Sequence, residues 1–563
     1  MSFCRFYLAF SFFLFCFHAQ TAYAQVSKGN LILMNRGLQL QGLVSTGDYF
    51  HLDTYTNANY STIGWGWTSD PSQLSGTKTP PWSRWVDDIT NMPPIGGEPS
   101  YMSNLVSLSL SDEPYLDSQS YFTKMTNWFL SVKDNYPNTI LFLNNWGGEV
   151  SDGTLSSFIA QGKPDMITFD QYPWQSDQTT GVPIAGPPTS YYNELRRYRA
   201  WAMAYNIPFG TYRQTYHAVE SDGRIMRNPS PSELRLSTFS ALAFNAKTLM
   251  DFTYNSGASS LFDRNSDGQW VGDGITNALY NEMVDSNLRA RNLGRALVRL
   301  KPIAEQSSGD GHTTGMMIVR GKTVTGGTTN LNSIPVGFIA DPQAPTGYTD
   351  WTFALNDPYL SGFQSITNIG TKNNGQVGDV IISWFKPLDN SLMATNATNQ
   401  IYMMVVNGLT DTNGTPSDCA QVISLDLTFT AGSGTNGVVL LNPATGQLQT
   451  NAPLPLLFDT KRRLTLTLNG GDAALFKFHD STAFVGFAPP LPATLALQRQ
   501  GGVTNITMQG RVGDHYQLET SASLPNANWT ILTNILLPSS TYTFTDTISP
   551  SASNRFYRVV NTP

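Results

Sequence analysis

Between residues 28 and 302 short strand-like runs alternate with helical stretches, and this alternation restricts the fold more than any other feature. Strands separated by helices cannot pair as hairpins, so each crosses over and lies parallel to a neighbour. The runs are Gly37–Val44, Ser61–Trp67, Leu105–Ser111, Thr139–Asn145, Asp165–Asp170, Pro208–Tyr216 and Lys247–Tyr254. Tyr121, Met125, Trp128, Phe129 and Val132 recur at helical spacing, as do Leu195, Tyr198, Trp201 and Tyr205. Ser230-Pro231-Ser232-Glu233 reads as a capping box that opens a helix through Leu234, Phe239, Leu242 and Ala243. A last long helix is expected from Ile275 to Leu300. Roughly 270 residues of such units match a (β/α)8 TIM barrel, typically about 250. Seven strands are visible, and the eighth must fall between Trp67 and Leu105.

After Pro302 the chain becomes rich in Thr, Asn and Gly, with alternating runs at Val380–Phe385, Ile401–Val406 and Leu464–Leu468. That pattern predicts an antiparallel β-sandwich. Pro489-Pro490-Leu491-Pro492 reads as a stiff linker to a small all-β module, across which few contacts are expected. The expected organisation is a signal peptide at 1–24, a catalytic barrel at 25–305, a sandwich at 306–485 and the module at 486–563. Arg5, the apolar run Phe6–Phe17 and Ala22-Tyr23-Ala24 make up the signal reading and point to a secreted or periplasmic protein.

Charged residues are only 13%, about half the roughly 25% usual for globular chains. Net charge is −7 and no basic run occurs, which argues against a nucleic-acid partner. The apolar run near the start is too short for a membrane span. Cys4 and Cys16 would leave with the signal, so Cys419 has no intrachain disulfide partner. His51, His217, His312, His479 and His515 are scattered without ligand spacing, so no metal or cofactor is implied.

In a TIM barrel the chemistry sits at the C-terminal strand ends. Side chains alternate along a strand. In Leu105–Glu113 the apolar Val106, Leu108 and Leu110 should meet the outer helices, leaving Ser107, Ser109, Ser111 and Glu113 to face inward. Asp112 has the opposite parity and joins the site only if the chain twists at Pro114. Thr168 and Asp170 should point in, followed by Tyr172 and Trp174 on an aromatic loop. Asn144, Asn145 and Trp146 end one strand, Gln214 and Tyr216 share a face on another, and Asp251 is a third carboxylate. Carboxylates among amides and aromatic rings suit a sugar site. Glycosidic cleavage needs a proton donor and a second anion or nucleophile, while rings offer flat faces to sugar C–H groups.

Ser111-Asp112-Glu113-Pro114, Thr168-Phe169-Asp170-Gln171-Tyr172-Pro173 and the segment from Ala241 to Tyr254 resemble bacterial glycoside hydrolases with a (β/α)8 barrel. The resemblance spans about residues 30 to 310, and a sandwich ending Gly470–Phe478 is similar to their trailing domains. It implies that Glu113 is the acid/base, with Asp170 or Asp112 as anionic partner and carbohydrate as substrate. The large retaining clan carries Asn where this chain has Asp112, and a nucleophilic Glu where this strand ends Arg213-Gln214-Thr215-Tyr216. The adjacent Asp-Glu is instead similar to substrate-assisted hexosaminidases, in which Asp112 would orient the substrate's acetamido group.

Each candidate has a plainer role. Asp-Glu-Pro ends strands in many folds, Asp251 suits a buried ion pair, and Glu233 suits a helix cap. Asp263-Arg264-Asn265-Ser266-Asp267-Gly268 matches half a calcium loop, but Gly274 stands where the motif needs Glu, so an Asp/Asn-rich turn is the better reading. The rival function is an inactive barrel that binds glycans or cell-surface polymer.

Overall fold

The computed structural model describes residues 26–562 apart from 46–49, 67–79, 94–101, 185–188, 265, 267–273, 304–315, 320–358, 373–379, 393–399, 430–435, 480–481, 490, 501–502, 526 and 548–553. The signal segment, with Arg5, Cys4 and Cys16, lies outside the described residues, as do His312 and the Asn265 and Asp267 of the calcium-like turn.

Eight parallel strands close a barrel in chain order: Gln39–Val44, Thr62–Trp65, Trp82–Val86, Leu105–Asp112, Ile140–Trp146, Ile167–Asp170, Phe209–Gln214 and Ala246–Phe252. They are numbered one to eight below. The strand hidden from the sequence is the third, Trp82-Ser83-Arg84-Trp85-Val86. The barrel interior is polar near its middle. The Ser83 hydroxyl donates to Gln41 Oε1 at 2.6 Å, and Gln41 Nε2 donates to Ser107 Oγ at 3.3 Å. Strand four therefore turns its serines inward and its leucines outward, as expected. The helix Lys28–Arg36 closes the N-terminal end, where Gly29 packs against the Asp165 carbonyl with no room for a side chain.

The capping box on the helix Pro231–Ala243 is complete: Ser230 Oγ accepts from the Glu233 amide, and the Glu233 carboxylate accepts from the Ser230 amide at 2.8 Å. Glu233 also holds Arg227 through two bonds of 2.6 Å. Every residue from Ser232 to Ala243 is buried, because barrel strands cover one side of this helix and the sandwich covers the other. Small side chains permit that double packing, and hydroxyls that would be stranded bond back one turn, Ser237 to the Glu233 carbonyl and Thr238 to that of Leu234.

The sandwich has one sheet ordered 300–302, 380–387, 402–407, 473–478, 438–441, 448–451, with 316–319 also on 380–387. The other is ordered 360–368, 421–428, 461–468, 456–458. Leu300–Pro302 thus already belongs to the sandwich sheet. Ile381, Phe385, Tyr402, Met404 and Leu475 join the same apolar core as the barrel helices.

The final module pairs 494–500, 503–509 and 541–546 in one sheet and 530–536, 515–521 and 556–562 in another. Its core is Ile506, Met508, Tyr516, Leu518, Ile535 and Leu537. Contrary to the linker expectation, contacts do cross to the barrel. Val512 enters the main core, His515 Nε2 lies 2.7 Å from Asn35 Oδ1, and the Val26 amide donates to the Pro538 carbonyl at 3.3 Å. All of these lie near the helix that closes the N-terminal end. Among the described residues no helix is long and apolar enough to cross a membrane.

Candidate active site

Strand four leaves the regular ladder before it ends. Its register with strand five slips between Ser109 and Asp112, and Ser111 and Glu113 take left-handed backbone, φ 73° and 44°. Non-glycine residues pay for that conformation, and such strain gathers at functional sites. The bulge re-aims two consecutive carboxylates toward one place. The bend that brings in Asp112 lies at Ser111, not at Pro114. Asp112 Oδ1 accepts from Asn144 Nδ2 at 3.0 Å, and the Glu113 amide donates to the Asn144 carbonyl at 2.9 Å.

Asp170 ends strand six facing inward, and its neighbour Phe169 stacks outward on Tyr198 at 4.5 Å. Asp170 is buried, whereas Glu113 is exposed. Burial raises the Asp170 carboxyl well above the usual carboxylate range. The Glu113 charge, a hydrogen bond between the two carboxyls and the Asp112 charge raise it further, while the Tyr172 hydroxyl works in the opposite direction. Asp112 is pushed up to about 6 by burial, against the Asn144 bond, with Glu113 adding to the rise.

Aromatic rings wall this cluster. Tyr172 meets Tyr216 at 4.8 Å and Phe252 at 5.8 Å, and Tyr216 meets Phe252 at 5.1 Å. Tyr212 stands near Asp112 and Asp170 and edges onto Trp85 at 6.1 Å. Trp146 is exposed at the rim, with the Arg224 guanidinium 5.1 Å over its ring. Asp170 Oδ1 and Asn144 Oδ1 are buried without a hydrogen-bond partner. Both are on the inward face, where a bound solute can satisfy them.

The candidates therefore separate. Glu113, Asp112, Asp170, Asn144, Tyr172 and Tyr216 come together, with Trp146 at the edge. Four expected binding residues do not line the opening. Asp251 faces the outer helices, where Arg213 donates to both its oxygens at 2.6 and 2.9 Å and also reaches Thr238 and Asn287. Both faces of a barrel strand are buried, so parity alone could not say which side was inward. Asn145 has the parity opposite to Asn144 and bonds the Thr168 carbonyl. Trp174 is fully buried and donates its indole N–H to Ser237 Oγ at 3.0 Å. Gln214 is consumed in bonds to the Trp174 amide and to the Trp174 and Arg227 carbonyls.

Trp85, Phe252 and Glu149 belong to the site without having been evident from the sequence. Phe252 shares a face with Thr248, the inward set of strand eight. Glu149 is raised by burial and then by the Glu113 charge. Among the described residues no group of three or more His, Cys, Asp or Glu is placed to hold a metal ion.

No family model matches the chain, and no curated protein matches its sequence. Solved structures with a similar outline include glycoside hydrolases. A rhamnosidase from Novosphingobium sp. PP1Y is 8% identical, with 78% of this chain and 50% of that one covered, at a TM-score of 0.32. A β-glucuronidase from Ruminococcus gnavus is 12% identical over 44% and 50%, at 0.29. A xylanase and α-amylase inhibitor protein from Scadoxus multiflorus is 14% identical over 38% and 93%, at 0.26.

Proposed function

We propose that this chain is a secreted or periplasmic glycoside hydrolase in which Glu113 is the proton donor. The observation that carries the reading is the Glu113–Asp170 carboxyl pair at the C-terminal end of a closed parallel barrel, one member exposed and the other buried. An exposed carboxyl can reach a glycosidic oxygen. A buried partner that holds a proton keeps that carboxyl supplied and oriented.

Burial favours the neutral form of the Asp170 carboxyl, which suits it poorly to be the nucleophile or base opposite an acid at Glu113. Those roles need carboxyls about 5 Å apart in retaining enzymes and about 6.5–9.5 Å apart in inverting ones. Strand seven, Phe209–Gln214, carries no carboxylate. The second role then falls to Asp112 or to the substrate. An acetamido group on the sugar supplies a nucleophilic oxygen, and Asp112, fixed by Asn144, is placed to accept its N–H. We therefore favour a 2-acetamido sugar as substrate. The sequence Glu113 protonating the leaving oxygen, the acetamido oxygen closing on the anomeric carbon, and water reopening the ring uses only groups at this site.

A panel of aryl glycosides with and without the 2-acetamido group tests this directly. Release of aglycone from the acetamido members alone is expected. Release from plain hexosides at equal rates overturns the substrate-assisted part, and no release from any member, with glycan binding retained, favours a binding barrel.

A further inference from the structure

We propose that the chamber between the N-terminal end of the barrel and the sandwich binds a compact solute carrying a phosphate or sulfate group. The chamber has a volume of about 450 Å³ and lies at the end of the barrel opposite Glu113. That is the size of a small-molecule site and several times that of a bare ion.

Three lysines line it. Lys301 and Lys386 are direct cross-strand partners in the antiparallel pair formed by 300–302 and 380–387. Like charges placed opposite each other destabilise a sheet. Lys247, at the start of strand eight, is 1% exposed and donates to the Leu300 carbonyl at 2.8 Å, the residue before Lys301. Burial pulls its ammonium down to about 7, and Lys301 adds to the fall. Asp389 is the one carboxylate among the described lining residues, and one of its oxygens already accepts from the Ser391 amide at 2.8 Å.

The ammonium groups of Lys301 and Lys386, with the amine of Lys247 behind them, outweigh the one carboxylate in a chain whose net charge is −7. Repulsion of this kind is relieved when a dianion sits among the lysines and accepts their N–H bonds. Two amides complete the cradle. Asn30 accepts from Lys247 at 3.4 Å, and Asn245 presents a buried oxygen with no partner. Rotated about its last bond, the Asn245 amide offers N–H to an oxyanion instead. The carboxylate pair at the other end plays no part here, so the two assignments stand or fall separately.

The test is titration calorimetry of the full chain with inorganic phosphate and, separately, with sulfate, at fixed ionic strength in chloride. Saturable binding of one ion per chain is expected. The double variant Lys301→Gln/Lys386→Gln should weaken it roughly tenfold or more, the loss of two charge-assisted bonds. Lys386 is exposed and Lys301 partly so, which makes misfolding avoidable; an unchanged circular dichroism melt confirms it. The stronger of the two probes identifies the anion class. Absence of saturable heat with both probes overturns the proposal, as does equal affinity in the folded double variant.

Discussion

The carboxyls of Glu113 and Asp170 meet at the C-terminal end of the barrel, the first at the exposed tip of strand four and the second buried at the end of strand six. Burial and the neighbouring Glu113 charge together hold the Asp170 carboxyl well above the usual carboxylate range. That combination is what allows a carboxyl to carry a proton at pH values where an isolated one has lost it.

Glu113→Gln keeps the shape of the side chain and removes its proton. Turnover should fall by about 10²–10⁴-fold, the usual worth of a positioned acid. The residue is exposed, so the unfolding midpoint should stay within error of the parent. Unaltered turnover in the purified variant removes Glu113 from the mechanism.

Asp112 makes stability depend on pH. Its carboxyl titrates near 6 in the folded chain and near 3.8 when free in water. Between those values the folded state holds the extra proton, so this group's contribution falls as pH rises through the window and stays lost above it. Asp112→Asn has no such titration. Its stability relative to the parent should therefore increase from about pH 4 to about pH 7 and then level off. Denaturant midpoints at a series of pH values read this, and a variant stability that falls relative to the parent as pH rises contradicts it.

Asp251→Asn should damage the fold without touching the chemistry. It leaves the fully buried Arg213 charge without its carboxylate, a loss of about 3–5 kcal/mol. Urea unfolding measures the cost, and the turnover of the remaining folded enzyme should match the parent. A loss below about 1 kcal/mol would mean that the pair is not sealed from water.

Removal of residues after 487 should retain turnover on a small soluble substrate, because the module docks near Val26 and Asn35, with its own Val512 inserted into the main core, at the end of the barrel opposite Glu113. The truncated chain should nonetheless unfold at lower denaturant, since those contacts are lost. Ending the chain near 305 should give insoluble protein, because the apolar core runs on into Ile381, Phe385 and Tyr402. Soluble, active protein from the shorter chain contradicts the shared core.

Most of the barrel could be read from periodicity because its helices carry apolar stripes and its strands are short β-rich runs. Strand three was hidden by its composition: Arg84 and Ser83 interrupt a run of only five residues. The site was legible where one rule applied cleanly. Ser107 and Thr168 face inward and Phe169 faces outward, as alternation requires. The left-handed turn at Ser111 had no sequence signal, since neither Ser nor Glu favours positive φ, and so the route by which Asp112 enters the site could not be derived. Of the two readings of Asp251 on strand eight, the buried ion pair holds and the substrate contact does not. The strand's two faces are both covered, and a carboxylate that serves Arg213 looks the same in sequence as one that serves a substrate.

The helix Pro231–Ala243 has no face of its own to give to water. A segment walled on both sides cannot be copied into a new chain without both walls. Genetic recombination that separated the barrel from the sandwich would expose Leu234, Leu236 and Phe239 on one side or the other. A stable transfer into another chain therefore has to carry barrel and sandwich together. The last seventy or so residues carry a small core of their own and lean on that pair through Val512, His515 and Pro538.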